Sequence, residues 1–528
     1  MASPSSPTPP PARGPLSRRA LLAGIAPLVP LARLADLSRL TDDLCSGLHK
    51  YGRRPGEAGL QPAEARPESV CRADADLLIR GGRVVNADGV VRADVRIRGA
   101  TIAEVGPGLR AEPTERIIEA RGRLLMPGGI DPHTHLHPGF ADDLTTGSRA
   151  ALAGGITTVG SFLFPNGEEA PDAVLDRFVA TASREAIADV FGHFYYWPPE
   201  KLLEAIPTIA ARGQPSFKLY MVQDDFAARL PVLVRALEAA RDAGVVALVH
   251  CEDATLLDAA ARHLAAQGRT SLAWYPESRP VVAELAATQQ AMALCESTRA
   301  PMHVVHLSSA RALDATRATK KAGLPLSIET RPLYLHLTEE RFRAAGPEAP
   351  LFVGQPPLRQ PADREALWRG LAAGEIDLLA TDHAPWTRAQ KLDPALTITN
   401  LRPGVSDLQF MLPMFFSEGV VKRKLPLERF VALTATAAAR RFGLYPRKGV
   451  IQAGSDADIA IWDPTRRGQV TAAADHSNAD YSPYEGWSVT GWPMTVIRRG
   501  EIVVDGGQIL GAAGSGQVVR RAAARPTG

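Results

Sequence analysis

Two histidines stand one residue apart in Asp131-Pro132-His133-Thr134-His135. At the end of a β-strand, alternate side chains project to the same side, so both imidazoles can share one cation. An H-x-H alone is weak support for a metal site. Three further apolar runs end in residues of ligand type: Val249-His250-Cys251-Glu252, Val305-His306-Leu307-Ser308 and Thr381-Asp382-His383. Four histidines and an aspartate at four strand ends would each point an unsatisfied polar group into the same mouth unless something bound them. Lys218 lies inside the apolar run Ser216-Phe217-Lys218-Leu219-Tyr220-Met221, where a buried ammonium is costly unless paired. Taken by itself, Lys218 reads as a salt-bridged or snorkelling lysine.

These residues need a scaffold that gathers strand ends. Buried strands are expected over 124–130, 157–162, 190–194, 216–221, 245–250, 303–307, 326–329 and 377–381. Ala/Leu/Arg/Glu-rich helical stretches fall between them, for example 173–186, 227–243, 283–295 and 364–373. Eight strands alternating with helices predict a (β/α)8 TIM barrel, whose strand C-termini face the active site. Short β-rich runs flank the barrel at both ends, including Val95-Arg96-Ile97-Arg98 and Asp458-Ile459-Ala460-Ile461-Trp462, so the two flanks are expected to build one small β-sandwich domain. The organisation read from the chain is an N-terminal extension with linker over 1–73, sandwich over 74–126, barrel over 127–445, sandwich again over 446–510 and a flexible tail over 511–528.

Composition narrows the class. The chain has 528 residues, 45% hydrophobic and 22% charged, in the range of ordinary globular proteins. Its net charge of +3 comes from basic ends, so no nucleic-acid surface is expected. Cys45, Cys71, Cys251 and Cys295 share no C-x-x-C spacing, which argues against a disulfide scaffold or a cysteine zinc cluster. No run is long and apolar enough to predict a membrane span. Ser17-Arg18-Arg19-Ala20-Leu21-Leu22 has the layout of a twin-arginine export signal, but Pro27, Pro30 and Arg33 break the apolar region that follows. A cytoplasmic location is expected, with export as the alternative.

The ordered set Pro127-Gly128-Gly129-Ile130-Asp131-Pro132-His133-Thr134-His135, Ala150-Ala151-Leu152-Ala153-Gly154-Gly155-Ile156-Thr157-Thr158, Ser216-Phe217-Lys218, Ser278-Arg279-Pro280, Glu329-Thr330, Pro356-Pro357-Leu358-Arg359, Thr381-Asp382-His383-Ala384-Pro385 and Gly454-Ser455-Asp456-Ala457-Asp458 resembles the cyclic amidohydrolases of the amidohydrolase superfamily, in the dihydropyrimidinase and hydantoinase branch. The resemblance spans about residues 76–510. It implies that His133, His135 and Asp382 hold one metal ion and that His250 and His306 hold a second. It also implies that Lys218, carrying a CO2-derived carbamate, bridges both. The ions expected are two Zn²⁺ per chain, with Mn²⁺, Co²⁺ or Fe²⁺ as chemically acceptable substitutes. The implied reaction is ring opening of a dihydropyrimidine or hydantoin to an N-carbamoyl amino acid by a bridging hydroxide, with Asp382 passing the proton to the departing ring nitrogen. Relatives imply a homo-oligomer, tetramer or dimer.

The chain also departs from that pattern. Hydantoinases commonly place a tyrosine five residues after the carboxylated lysine to stabilise the oxyanion; here the position is Gln223, and losing such a donor typically costs ~10²–10³ in rate. Dihydroorotases usually follow H-x-H-Leu with Arg, whereas His137 stands here, which disfavours dihydroorotate. Gln223, Thr330 and Arg331 are the candidate substrate contacts, Arg331 either receiving an anionic substrate or pairing with a nearby acid. His303, three residues before His306, is expected to face the other way and pack. His137 and His383 either orient ligands or make structural hydrogen bonds, and Tyr195-Tyr196-Trp197 is expected to pack at the barrel top. An allantoinase-like activity and a non-catalytic dihydropyrimidinase-related scaffold are the alternative readings.

Overall fold

The computed structural model describes residues 76–524, so the extension read over 1–73 with its twin-arginine pattern, and residues 525–528, lie outside the described residues. Eight parallel strands follow one another around a barrel: Gly129–Thr134, Ile156–Leu163, Asp189–Phe194, Ser216–Tyr220, Val246–His250, Met302–Val304, Leu326–Thr330 and Leu378–Leu379. The last strand is two residues long, and the ring closes at its mouth through a bridge between Thr134 and His383, where the His135 N–H donates to the His383 carbonyl at 2.8 Å. The seam of the barrel therefore runs through two of the chemistry-bearing segments.

Side-chain alternation sorts each strand into two environments. In Ser216–Tyr220, Phe217 and Leu219 pack outward against the helices with Leu233 and Leu237, while Ser216 and Lys218 turn into the lumen. The lumen is filled by Ile130, Phe162, Phe191, Val246, Leu248, Val305 and Leu378. Helix Leu230–Ala243 illustrates the outer layer. Pro231 in its first turn lacks only an N–H that would have no partner there, and its buried Leu233, Ala236, Leu237 and Ala240 form one stripe. Gly244, at φ 63°, ends it in the left-handed conformation that glycine adopts without penalty.

The second domain draws on both ends of the chain. Leu77–Asn86, Gly89–Arg98, Thr101–Gly106, Arg116–Glu119 and Leu124–Pro127 join Ile459–Gln469, Ser488–Arg498, Glu501–Asp505 and Gln508–Ile509 in a mainly antiparallel sheet. It encloses Leu77, Ile79, Val95, Ile97, Leu125, Ile459 and Ile461. The molecule is thus a (β/α)8 barrel with a β-sandwich domain.

Two expectations are corrected. The apolar run 124–130, read as one barrel strand, is cut: Leu124–Pro127 pairs with Ile459–Trp462 in the small sheet, and the barrel begins at Gly129. The cut falls at Gly128, where a Cβ would lie 2.2 Å from the Thr157 hydroxyl. A continuous apolar run carries no period that could reveal such a change of partner. The stretch from 511, read as a flexible tail, is fastened to the barrel through 524. Val190 N donates to Gln517 O at 2.8 Å, Val519 N to Val190 O at 2.7 Å and Arg521 N to Gly213 O at 2.9 Å. Val519 joins the lumen core, and the buried Arg521 guanidinium donates to Gly192 O and Ser216 Oγ at 2.8 Å each. Backbone groups make most of these bonds, so a Gly/Ala-rich composition conceals them. Among the described residues no helix is long and apolar enough to cross a membrane.

Candidate metal centre

All six residues expected to bind metal come together at the C-terminal mouth of the barrel. His133 and His135 end the first strand, Lys218 lies in the fourth, His250 ends the fifth, and His306 and Asp382 follow the sixth and eighth. Single nitrogen or oxygen atoms of His133, His135 and Asp382 lie within 4.8 Å of one another. Nε2 of His133 and Nε2 of His135 both stand 3.1 Å from Asp382 Oδ1. The His133 nitrogen is buried and has no hydrogen-bond partner among the described residues. Two imidazole nitrogens converging on one carboxylate oxygen, one of them orphaned, is a donor set that fits a divalent cation. On the other side, the His250 and His306 rings are 4.6 Å apart, and His306 is 5.5 Å from His133.

Lys218 lies between the two histidine pairs, only 1% exposed. No acid or hydrogen-bond acceptor among the described residues contacts its amine, which sits 4.9 Å from the centre of the Phe162 ring and 5.0 Å from that of Tyr220. Burial pushes the amine down to about 8, against the pull of Asp382 and Glu329. The salt-bridged and snorkelling readings of this lysine both fail.

A second layer of acids fixes the imidazoles. Glu329 accepts from His133 Nδ1, from His303 Nε2 at 2.9 Å and from the His306 backbone N–H at 3.1 Å. Bonding at Nδ1 sets the His133 tautomer that leaves Nε2 free for a cation. Although it is buried, its histidine partners hold the Glu329 carboxyl well below the usual range. Glu252 accepts from His250 Nε2 at 2.8 Å and is itself held by Arg279. Asp131 accepts backbone N–H bonds from His133 and Thr381, at 3.1 and 3.2 Å, tying the first strand to the eighth.

The sequence reading missed Glu329 as a hub, although Ser327 and Glu329 are alternate polar residues of a buried strand and so share its inner face. His303 is likewise in the lumen, sharing a hydrogen bond with Ser327 Oγ at 2.7 Å, rather than facing away. Counting by twos from His303 to His306 fails because the strand ends at Val304 and His306 has φ 39°. His383 is a structural clasp: Nε2 bonds Asp142 at 2.8 Å, and Nδ1 accepts from the Asp407 N–H at 3.2 Å. His137 donates from Nδ1 to the Pro138 carbonyl at 3.0 Å.

The candidate substrate contacts are placed differently from one another. The Thr330 hydroxyl donates to Leu307 O at 2.8 Å and is fully buried. Arg331 is also fully buried, donating to Asp382 Oδ2 at 2.8 Å and Asp407 Oδ2 at 3.3 Å, so of its two expected roles it takes the pairing with acids. Gln223 stands at the rim, where its amide donates to the Tyr195 phenol oxygen at 2.6 Å. Tyr196 and Trp197 pack as expected, Trp197 stacking on Phe226. Cys251 and Cys295 are buried and free.

Comparison with known proteins agrees with this geometry. Residues 124–503 match the amidohydrolase family. The chain is 35% identical over 454 residues to a D-hydantoinase from Geobacillus stearothermophilus, covering 84% of this chain and 96% of that protein. It is 33% identical over 462 residues to a D-hydantoinase from Ralstonia pickettii, covering 84% and 99%. The crystal structure of a dihydropyrimidinase from Brevibacillus agri NCHU1002 superposes with a TM-score of 0.81 at 34% identity, covering 85% of this chain and all of that one. With two histidine pairs and a buried lysine between them at a barrel mouth, and with relatives matched over nearly their whole length, the chain belongs to the amidohydrolase family.

Proposed function

We propose that this chain is a metal-dependent hydrolase that opens a cyclic amide or ureide ring, a dihydropyrimidine or hydantoin, to an N-carbamoyl amino acid. The observation that carries this reading is Lys218, a buried amine without an ionic partner among the described residues, set between two pairs of histidines. An amine held near 8 is partly neutral at physiological pH, and the neutral form attacks CO2: a nitrogen–carbon bond forms, a proton leaves, and a carbamate anion remains. His133, His135 and Asp382 would hold one cation, His250 and His306 the other, and the carbamate both. When bound, the two cations, Zn²⁺ or a similar ion, supply Lewis acidity and a water deprotonated near pH ~7.

The remaining chemistry belongs to the chain. Asp382, held by Arg331 at Oδ2 and facing the two imidazoles with Oδ1, would be the carboxylate that takes the proton of the attacking water. As the carbonyl carbon–nitrogen bond breaks, the same carboxyl returns that proton to the ring nitrogen. A homo-oligomer, tetramer or dimer, and a small-molecule substrate complete the reading.

The test is to load purified protein with Zn²⁺ in the presence of ¹³C-bicarbonate and present dihydrouracil, hydantoin, 5-substituted hydantoins and allantoin. Mass spectrometry follows ring opening, elemental analysis counts metal, and ¹³C NMR detects a lysine carbamate. Ring opening of the hydantoins or dihydrouracil with two ions per chain is expected. Activity on allantoin alone would replace the substrate with that cyclic ureide, and less than one ion per chain would restore the non-catalytic scaffold reading.

A further inference from the structure

A phenol and an amide meet beside Tyr220, in the loops that follow the third and fourth barrel strands. Tyr195 is the first residue beyond the third barrel strand, its N–H donating to Leu163 O at 3.0 Å. Gln223 lies in the loop after the fourth strand, and its Nε2 donates to the Tyr195 phenol oxygen at 2.6 Å. Because that oxygen accepts, the phenol keeps its own proton to donate. The Tyr195 ring is wedged between Phe164 and Tyr220, at 5.4 and 5.3 Å. Tyr220 in turn lies 5.0 Å from the Lys218 amine and 5.8 Å from the His250 ring. Tyr195 thus packs on a ring that itself packs on two residues of the centre. Burial pushes this phenol up to about 12, so it remains a neutral donor throughout the physiological range.

We propose that Tyr195 donates a hydrogen bond to the substrate carbonyl oxygen as it becomes negative, and that Gln223 is the positioning residue that holds the phenol for it. This rests on the ring-opening reading above, in which attack on a cyclic amide carbonyl creates an oxyanion. A preorganised donor matters most in the transition state, so its loss falls on kcat rather than on KM. Two loops from different strands must then agree for the site to work, which makes their mutual contact part of the catalytic geometry.

The experiment measures kcat and KM for hydantoin ring opening by the Zn²⁺-loaded holoenzyme as wild type, Tyr195→Phe, Gln223→Leu and the double variant, with metal content and melting temperature alongside. Tyr195→Phe is expected to lower kcat ~10²–10³-fold with KM within about threefold of wild type. Gln223→Leu is expected to lower kcat by less, again with KM little changed, and adding it to Tyr195→Phe should cost nothing further because its effect passes through the phenol. Tyr195→Phe within about threefold of wild-type kcat overturns the inference alone. So does a further loss on adding Gln223→Leu, which would make the amide itself the donor. Should the tyrosine variant lose metal or stability, Gln223→Leu still decides independently, because an unchanged kcat there removes the positioning role. A wild-type enzyme that opens none of the rings overturns the proposed function, and this inference with it.

Discussion

Glu329 shows how one unexposed carboxylate sets the chemistry of groups it does not replace. Its two oxygens serve His133, His303 and the His306 backbone, so it fixes both a ring tautomer and the entry angle of a loop. Glu329→Gln keeps the shape but removes the charge and turns one acceptor oxygen into an amide donor facing an imidazole N–H. Second-layer changes of this kind typically cost ~10–100-fold in metal affinity. Competition with a chelator is expected to show that loss for Glu329→Gln with the circular-dichroism spectrum unchanged, and wild-type affinity would deny Glu329 its orienting role. The segments that bring these six residues to one mouth were legible in the sequence because each lies in or just beyond a run of recognisable apolar composition, while their assignment as ligands came from the resemblance. Their supports were not, since the partners of Glu329 come from other strands and only tertiary structure brings them together.

Strand termini carry the strain that the site needs. His306 and Asp382 have φ 39° and 52°, conformations costing ~1–3 kcal/mol each for residues other than glycine. Both follow very short strands, where the chain turns sharply into the mouth. The alternation of strand and helix was readable, and the helix expected over 227–243 is found at Leu230–Ala243. The partner change at Gly128 and the docking of the C-terminal strap were not readable, because backbone pairing leaves no periodic mark. Helix Pro332–His336 adds a pH dependence that no pattern revealed. His336 is buried among Trp368, Tyr484 and Trp487, and neither ring nitrogen has a hydrogen-bond partner among the described residues. Burial pushes its pKa down to about 3, against a smaller opposing effect of Glu418. Below the ordinary value near 6.5 the unfolded chain binds a proton that the folded chain refuses. Its stability contribution is therefore complete above about 6.5 and is lost at about 1.4 kcal/mol per pH unit as the pH falls toward 3. Urea midpoints of the wild type are expected to fall more steeply from pH 7 to pH 4.5 than those of His336→Leu, and parallel declines would contradict this assignment.

The two domains are joined at the base of the barrel by a buried ionic cluster whose balance can be tested. Lys448 donates to Asp189 at 2.8 Å, at the start of the third barrel strand, and to Asp458 at 2.5 Å, just before a sheet strand. Despite burial, Asp458 and Asp189 hold its ammonium above the usual range. Replacing such a cation without its acids leaves uncompensated buried charge, a loss of roughly 3–5 kcal/mol. The partly exposed Asp456 also lies 3.1 Å from the ammonium, and the two buried acids are not equally exposed to that loss. Asp189 keeps the Arg499 guanidinium at 3.1 Å, whereas Asp458 keeps, among the described residues, only the Arg499 backbone N–H at 2.8 Å and the Thr157 hydroxyl at 3.4 Å. In Lys448→Met, Asp458 is therefore the group that takes up a proton. Burial already raises its pKa above 3.8, and removing the ammonium raises it further. A raised carboxyl adds stability at low pH that disappears as the pH climbs through the folded value, so the deficit of Lys448→Met is largest at neutral pH and narrows on acidification. Thermal unfolding should show a melting temperature several degrees below wild type at pH 7 and a smaller gap at pH 5. A gap that is constant with pH would mean that the substitution at Lys448 costs packing alone and that the carboxylates never relied on the ammonium.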